Sequence, residues 1–562
     1  MKLDKETIIV IGICIIVLFG WDPFCRYVGL IPEKTEIKTV KKVEEKTQTE
    51  DKKTEVAAVV DTVKKAEKVT EEKVDLPQVK LENEKCVIYF NADYSAVDKI
   101  VFKDFFNNSK TGKITVSNDY KLQKGMLSFD FDEIESRKFI KSDVSSSKVV
   151  FTEKLTLKDK SEVLAVRTYE LDKNYTVSYN VSFKSNRDSK IDELFVSGGD
   201  LQRWSVLSGD KIRTDKLEVT CFTSDKDDET LKSTVSDYKF NLSPALITRW
   251  EALSNKFFTL ILKADGDDNF TPTVKRAKLD GKDNYIVSFA ARYSDVKFEA
   301  NDEKSFKFKY YAGPKEPGLL NNFDPDCSIL INLAWGPLNP LAKGLLWSLV
   351  KLKDLCGSYG WSIIILTVIV RLIFWPITKK SNESMKKMQK LQPQIKEIRE
   401  KYKDNPQLLN SKTMELYQKE QVNPFGGCLP ILLQIPVFFA LYATLDNALE
   451  LRQVAFWWAS DLATADTVWS HPLGFSVFGI SNIKLNPLVI VMTALMVVQQ
   501  RITPSAMDPA QQKMMAMMPV IMLIFLYDLP SGLTLYWTVS QIFSLLQVFL
   551  QRKFDKKKNA AA

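Results

Sequence analysis

The chain has 562 residues, a net charge of +8, 45% hydrophobic and 26% charged residues, averages that fit a soluble multidomain protein. One histidine, His471, leaves no pair for a His-ligated zinc site and argues against a Ser-His-Asp hydrolase. Seven scattered cysteines with no C-x-x-C point to neither a disulfide framework nor a metal centre. The averages conceal two populations. Residues 83–330 are polar and β-branched, whereas 360–550 hold long apolar runs almost free of charge.

In chain order, Ile8–Phe19 is an uninterrupted apolar run. The bulky Trp21-Asp22-Pro23-Phe24 that follows does not suit signal cleavage, so residues 1–22 read as a retained transmembrane anchor. Residues 23–82 read as a flexible charged tether. Between 33 and 80 there are 12 Lys and 12 Asp+Glu with no aromatic residue, too little apolar surface to offset the entropy of ordering. Residues 83–325 read as a large antiparallel β-sandwich. Tyr175, Val177, Tyr179, Val181 and Phe183 alternate with polar residues, and Phe306, Phe308 and Tyr310 repeat the period of two. Ser197-Gly198-Gly199-Asp200 and Ala264-Asp265-Gly266-Asp267-Asp268 read as turns between strands. Residues 326–359 hold an amphipathic segment, with Leu341, Leu345, Leu349 and Leu352 set against Lys343, Lys351 and Lys353, which suits a helix in the membrane interface.

Five more apolar runs follow: Trp361–Ile377, Leu429–Leu445, Pro487–Gln499, Met514–Tyr527 and Leu533–Leu550. With the anchor they make six spans and a polytopic α-helical membrane protein. Two are short enough to require local thinning of the bilayer. Residues 379–424 read as a helical hairpin whose seam is Met388, Leu391, Ile395, Ile398 and Tyr402. This hairpin carries 11 Lys+Arg against 6 Asp+Glu, and the tail from 551 carries five against one, so the whole positive surplus lies on these two segments. The positive-inside rule puts both in the cytoplasm, with both termini, and residues 23–359 outside.

Arg371 lies well inside the Trp361–Ile377 run, where arginine costs about 2.5–3.5 kcal/mol. Either it faces a hydrated cavity, or it snorkels toward the interface near Pro376 and Lys379. No Asp or Glu sits in the middle of another run to pair with it. Thr367, Gln434, Thr534, Tyr536, Ser540 and Gln541 are further polar groups within runs. Each could be a helix-packing hydrogen bond, and together with Arg371 they could line a basic groove. Eleven of 13 methionines fall at or after Met385, and such flexible side chains suit either ordinary helix packing or a surface that accepts varied apolar partners.

These residues resemble the YidC-type membrane protein insertases, relatives of the mitochondrial Oxa and chloroplast Alb proteins. The resemblance is carried by Tyr311-Ala-Gly-Pro-Lys315, by Gly360-Trp-Ser-Ile-Ile-Ile-Leu-Thr-Val-Ile-Val-Arg371 and by Leu391-Gln-Pro-Gln-Ile-Lys396. Asn423-Pro-Phe-Gly-Gly-Cys-Leu-Pro-Ile-Leu-Leu-Gln434 and Leu529-Pro-Ser-Gly-Leu-Thr-Leu-Tyr536 complete it. It implies a periplasmic β-supersandwich, an insertase core over 360–553 containing the hairpin 379–424, and a basic tail at 554–562, in a bacterial inner membrane. It implies a non-enzymatic protein without cofactor or metal. Its partners would be nascent membrane proteins, the ribosome, the Sec translocon and lipid, with no small-molecule substrate. The family's groove arginine falls on Arg371, and its polar positions on Thr367, Gln434, Tyr536, Trp537 and Gln541. Trp537 stands where many relatives have tyrosine, and Asp528 where an apolar residue is usual. A secondary transporter is a rival without internal repeats to support it. An epimerase in the β-domain is a second rival, resting on fold analogy alone.

Overall fold

The computed structural model describes residues 62–63, 79–91, 95–107, 112–117, 124–203, 207, 216–223, 230–234, 247–266, 268–278, 285–422, 429–477, 480–502 and 509–560. The expected anchor and nearly all of the tether lie outside them. The chain divides into two units, one containing the β-rich region up to Ile331 and the other the helical region from Asn332.

The β-rich unit is built on a nine-stranded antiparallel sheet. Its order is Thr230–Thr234, Glu218–Thr223, Thr248–Ser254, Phe258–Ala264, Glu303–Pro314, Thr176–Ser185, Glu162–Leu171, Lys148–Leu157, Ile134–Val144. The alternation read in the sequence sets the register at its centre. Val177 lies opposite Tyr310, Tyr179 opposite Phe308 and Val181 opposite Phe306, all of them buried. Cross-strand aromatic and β-branched pairs of this kind are what stabilise a sheet face.

A five-stranded sheet includes Thr271–Lys278, Tyr285–Phe298, Ser189–Gln202 and Phe129–Asp130, and a four-stranded sheet runs Lys80–Glu82, Cys86–Asn91, Ala96–Phe106, Lys113–Ser117. Both pack on the nine-stranded sheet through aromatic rings. Phe129 meets Phe183 edge-on at 4.9 Å, and Phe90 meets Tyr169 at 5.0 Å. Ser197-Gly198-Gly199-Asp200 is not a turn between strands. It lies inside Ser189–Gln202, where the register slips at Ser197/Gly199 and Gly199 adopts φ 99°, so the glycines serve a β-bulge. The second cluster does end a strand, at Ala264, with Gly266 at φ 106°.

An ion pair is buried where the sheets meet. Arg167 is fully buried and donates to Glu153 at 2.9 Å, and Arg137 approaches the same carboxylate at 3.7 Å. Both guanidinium groups lie over the Phe129 ring, at 5.0 and 4.7 Å. Glu153→Ala removes the counter-charge of Arg167 and should destabilise the domain by about 3–5 kcal/mol. Hydrogen exchange in Lys148–Leu157 and Glu162–Leu171 measures this, and unchanged protection there would show that Arg167 does not depend on Glu153.

In the helical unit the apolar runs become α-helices. After a short α1 (Pro317–Phe323) in the β-rich unit come α2 (Asn339–Cys356) and α3 (Tyr359–Lys390), then α4 (Gln392–Lys401) and α5 (Pro406–Lys419). The last four are α6 (Leu429–Asn447), α7 (Pro487–Ile502), α8 (Pro509–Phe525) and α9 (Ser531–Ala560). Among the described residues, α3 and the Ser531–Lys553 part of α9 are long and apolar enough to cross a membrane, while α7 and Ala516–Phe525 are shorter apolar helices. In α2, Leu345 and Leu349 are buried and Lys351 and Lys353 exposed, as its amphipathic pattern requires. The expected hairpin is made differently from a simple helix pair. α3 continues unbroken through Pro376 to Lys390, and the chain turns at Leu391 before Pro393. Its small core joins Met388, Leu391, Ile395 and Val422 with Leu416 and Tyr417, while Ile398 and Tyr402 stay half-buried outside it.

Candidate functional site: a polar seam between three helices

Arg371 sits on α3 with its side chain turned across to α9. Its Nε donates to Ser540 Oγ at 2.6 Å and an Nη donates to the same oxygen. Among the described residues no carboxylate pairs with it. Four residues before Ser540, and so on the same face of α9, Tyr536 is almost fully buried and bonded to Gln434 of α6. Arg371, Ser540, Tyr536 and Gln434 therefore join three helices around one cation held by neutral oxygen.

The other expected groove residues are placed differently. Thr367 is buried one turn before Arg371, but its hydroxyl donates to Ile363 O of its own helix at 2.6 Å. Trp537 turns away from Arg371. Its ring meets Phe438 at 4.9 Å and packs beside Val489, Met492 and Leu526. Gln541 is 9% exposed, and its Oε1 has no hydrogen-bond donor.

Sequence reading named Thr534 and Gln541 but missed the continuation of this seam. Thr538, Ser544 and Gln547 are buried along α9 with them. Gln547 donates to Trp375 O at 3.3 Å, and Asn382 of α3 donates to Gln551 at 3.0 Å. The signal was present as polar residues three or four apart on one helix. The outer surface is the reverse. Leu372, Ile373, Met517, Val520, Ile524, Phe525, Ile542 and Phe549 are exposed large apolar groups, as expected of helices whose solvent is lipid.

The Pro-Ser-Gly turn at the start of α9 fixes the height of these side chains. The first N–H groups of a helix have no partners within it. Here the Ser531 N–H donates to Thr464 O at 2.6 Å, and the Gly532 N–H donates to Leu462 O at 2.9 Å. The Ser531 hydroxyl adds a bond to Asp461 O at 2.9 Å. A Cβ on Gly532 would come within 3.1 Å of Leu462 O, so glycine allows this approach. The same loop positions α7. Asp466 accepts from Leu488 N at 2.7 Å and from Trp458 Nε1 at 2.9 Å. Asp528, unexplained from sequence, pairs with Lys484 at 2.5 Å.

With the geometry described, two family matches account for most of the chain. Residues 351–559 match the 60Kd inner membrane protein family, and residues 130–348 match the YidC periplasmic domain. The chain belongs to the YidC insertase family. A membrane protein insertase YidC from Syntrophobacter fumaroxidans is 38% identical over 303 residues, 53% of each chain. That from Geobacter sulfurreducens is 35% identical over 60% of each chain. The chain thus spans about half to three-fifths of the length of these curated relatives. A crystal structure of an active YidC insertase aligns over 87% of this chain and 94% of the other, at 19% identity and a TM-score of 0.35. The protein is accordingly an inner-membrane protein with a periplasmic β-rich domain and apolar helices.

The loop that carries α9 also presses on α3. A Cβ at Gly360 would fall 2.1 Å from the Phe456 ring. Gly360→Ala should cost about 1–3 kcal/mol through overpacking, read as a lower thermal midpoint of the detergent-solubilised protein. An unchanged midpoint would mean that the ring yields freely.

Proposed function

We propose that the protein inserts hydrophobic segments of newly made proteins into the lipid bilayer without enzymatic chemistry. The observation that carries this reading is the cation of Arg371, held on a hydroxyl and facing no acid among the described residues. An uncompensated charge between apolar helices is stable only where water or an incoming polar group shares it. In this reading the polar flank of a client enters beside Arg371, Ser540, Tyr536 and Gln434. Its apolar segment meanwhile passes along α6 and α8 into lipid, helped by a bilayer thinned around helices of 16 or 17 residues. At 1.5 Å per residue such helices reach only about 25 Å, against a hydrocarbon core of about 30 Å.

The finer architecture belongs to the same proposal. There are six spans, with the anchor at residues 1–22 and both termini in the cytoplasm. The three sheets form a β-supersandwich on the periplasmic side, carried on the tether 23–82. The surplus of Lys and Arg on 379–424 and after 551 supports that orientation, and such charge can also meet ribosomal RNA through its phosphates. The protein works alone or beside the Sec translocon, on nascent chains rather than small molecules.

Arg371→Ala, expressed in a strain depleted of its own insertase, should reduce insertion of single-span clients with acidic flanks at least tenfold. Arg371→Lys should restore part of it, and Ser540→Ala should have an intermediate effect. Insertion is read by protease accessibility of the client. Undiminished insertion by the alanine variant rejects the role given to the cation. Deleting 83–310 should leave insertion standing.

A further inference from the structure

The periplasmic domain buries two acids that nothing in it uses. Asp200 lies at the end of Ser189–Gln202, just past the bulge, and is 1% exposed. Neither of its carboxyl oxygens has a hydrogen-bond donor, and the hydroxyl of Ser288, its partner across the strand pair, is also unbonded. Glu251, on Thr248–Ser254 of the nine-stranded sheet, is 0% exposed, and neither of its oxygens is bonded. The Thr273 N–H of the five-stranded sheet approaches it without reaching hydrogen-bond geometry. Buried polar groups in folded proteins are nearly always paired, so two partnerless carboxyl groups between the same two sheets are unusual.

Among the described residues, their surroundings offer no compensating charge. The titratable group facing Asp200 is Tyr310, whose hydroxyl donates to Gly198 O at 2.9 Å and so spans the two sheets beside it. The group facing Glu251 is the buried thiol of Cys221, directly opposite in the register. The nearest basic residues on these strands are otherwise engaged or turned outward. Lys263 is paired with Asp324, Arg292 donates to Glu193 at 3.0 Å, and Lys275 is exposed.

We propose that the contact between the nine- and five-stranded sheets is a pH-sensitive clasp, closed while Asp200 and Glu251 are neutral acids and loosened as rising pH favours the opened, wetted form. Burial pushes the Asp200 carboxyl up to about 8 and the Glu251 carboxyl upward as well. Once opened to water, such groups return to about 4. Below that value both forms carry the proton and the closed form keeps its full advantage. Between about 4 and 8 only the opened form loses it, so each wetted carboxyl favours opening tenfold per pH unit. Above about 8 Asp200 is ionised in both forms and its dependence levels off.

The test is hydrogen exchange of the intact protein in detergent from pH 5 to 9.5, corrected for the chemical exchange rate at each pH. Protection of Ser189–Gln202 and Tyr285–Phe298 should fall by tenfold per unit up to pH 8, or a hundredfold if both acids are wetted together. It should then lose the Asp200 part of that slope. The four-stranded sheet should not follow. Asp200→Asn, which keeps the shape and cannot ionise, should remove tenfold per unit from the slope, and Glu251→Gln should do the same around Thr248–Ser254. A profile flat from pH 5 to 8, or a slope unchanged in both variants, overturns the inference. Insertion activity plays no part in the readout, so the result is independent of the proposed function.

Discussion

An arginine in the middle of an apolar helix, with no acid among the described residues to neutralise it, is the constraint around which the helical unit is arranged. Moving Arg371 into a span costs about 2.5–3.5 kcal/mol, and a neighbouring glutamate would be the simple remedy. The chain instead supplies the Ser540 hydroxyl, with the bonded Tyr536 and Gln434 close by. Hydroxyls and amides satisfy donors without cancelling charge, so the site stays cationic. That choice demands accurate placement, because a short side chain such as serine must be brought to the guanidinium by its backbone.

Placement of α9 in turn rests on its first residues. Ser531 and Gly532 dock on the carbonyls of Asp461, Leu462 and Thr464, and the absence of a side chain at Gly532 allows the approach. Asp466 caps α7 from the same loop. The loop between α6 and α7 therefore serves as the common footing of two helices.

The parts of the fold legible in the sequence were those governed by a simple period. The alternation at Tyr175–Phe183 named a buried face, and Phe306, Phe308 and Tyr310 named a second one, while the pairing of the two strands came only with the structure. The apolar runs named the helices. Arg371 stood out because a charge in such a run is rare, and Tyr536 and Gln434 were recognised with it. What failed was context. Gly198-Gly199 reads as a turn because glycine permits positive φ, yet a bulge inside a strand needs the same freedom. Trp537 shares the helix of Ser540 but its ring packs against Phe438, a placement that a linear motif does not carry. Asp528 depended on Lys484, 44 residues away in a different element, and no local pattern announces such a pairing.

The footing of α9 has a mechanical consequence. A rod pinned at one end can swing only about that end, and displacement grows with distance from the pin. Relative to the loop at Leu462, Ser540 stands about 12 Å up the helix and Gln551 about 29 Å. A tilt of α9 that barely disturbs Gly532 would thus separate Gln551 from Asn382 more than twice as far as it separates Ser540 from Arg371. The amide contact at the far end acts as the fastening of a door whose hinge is the glycine.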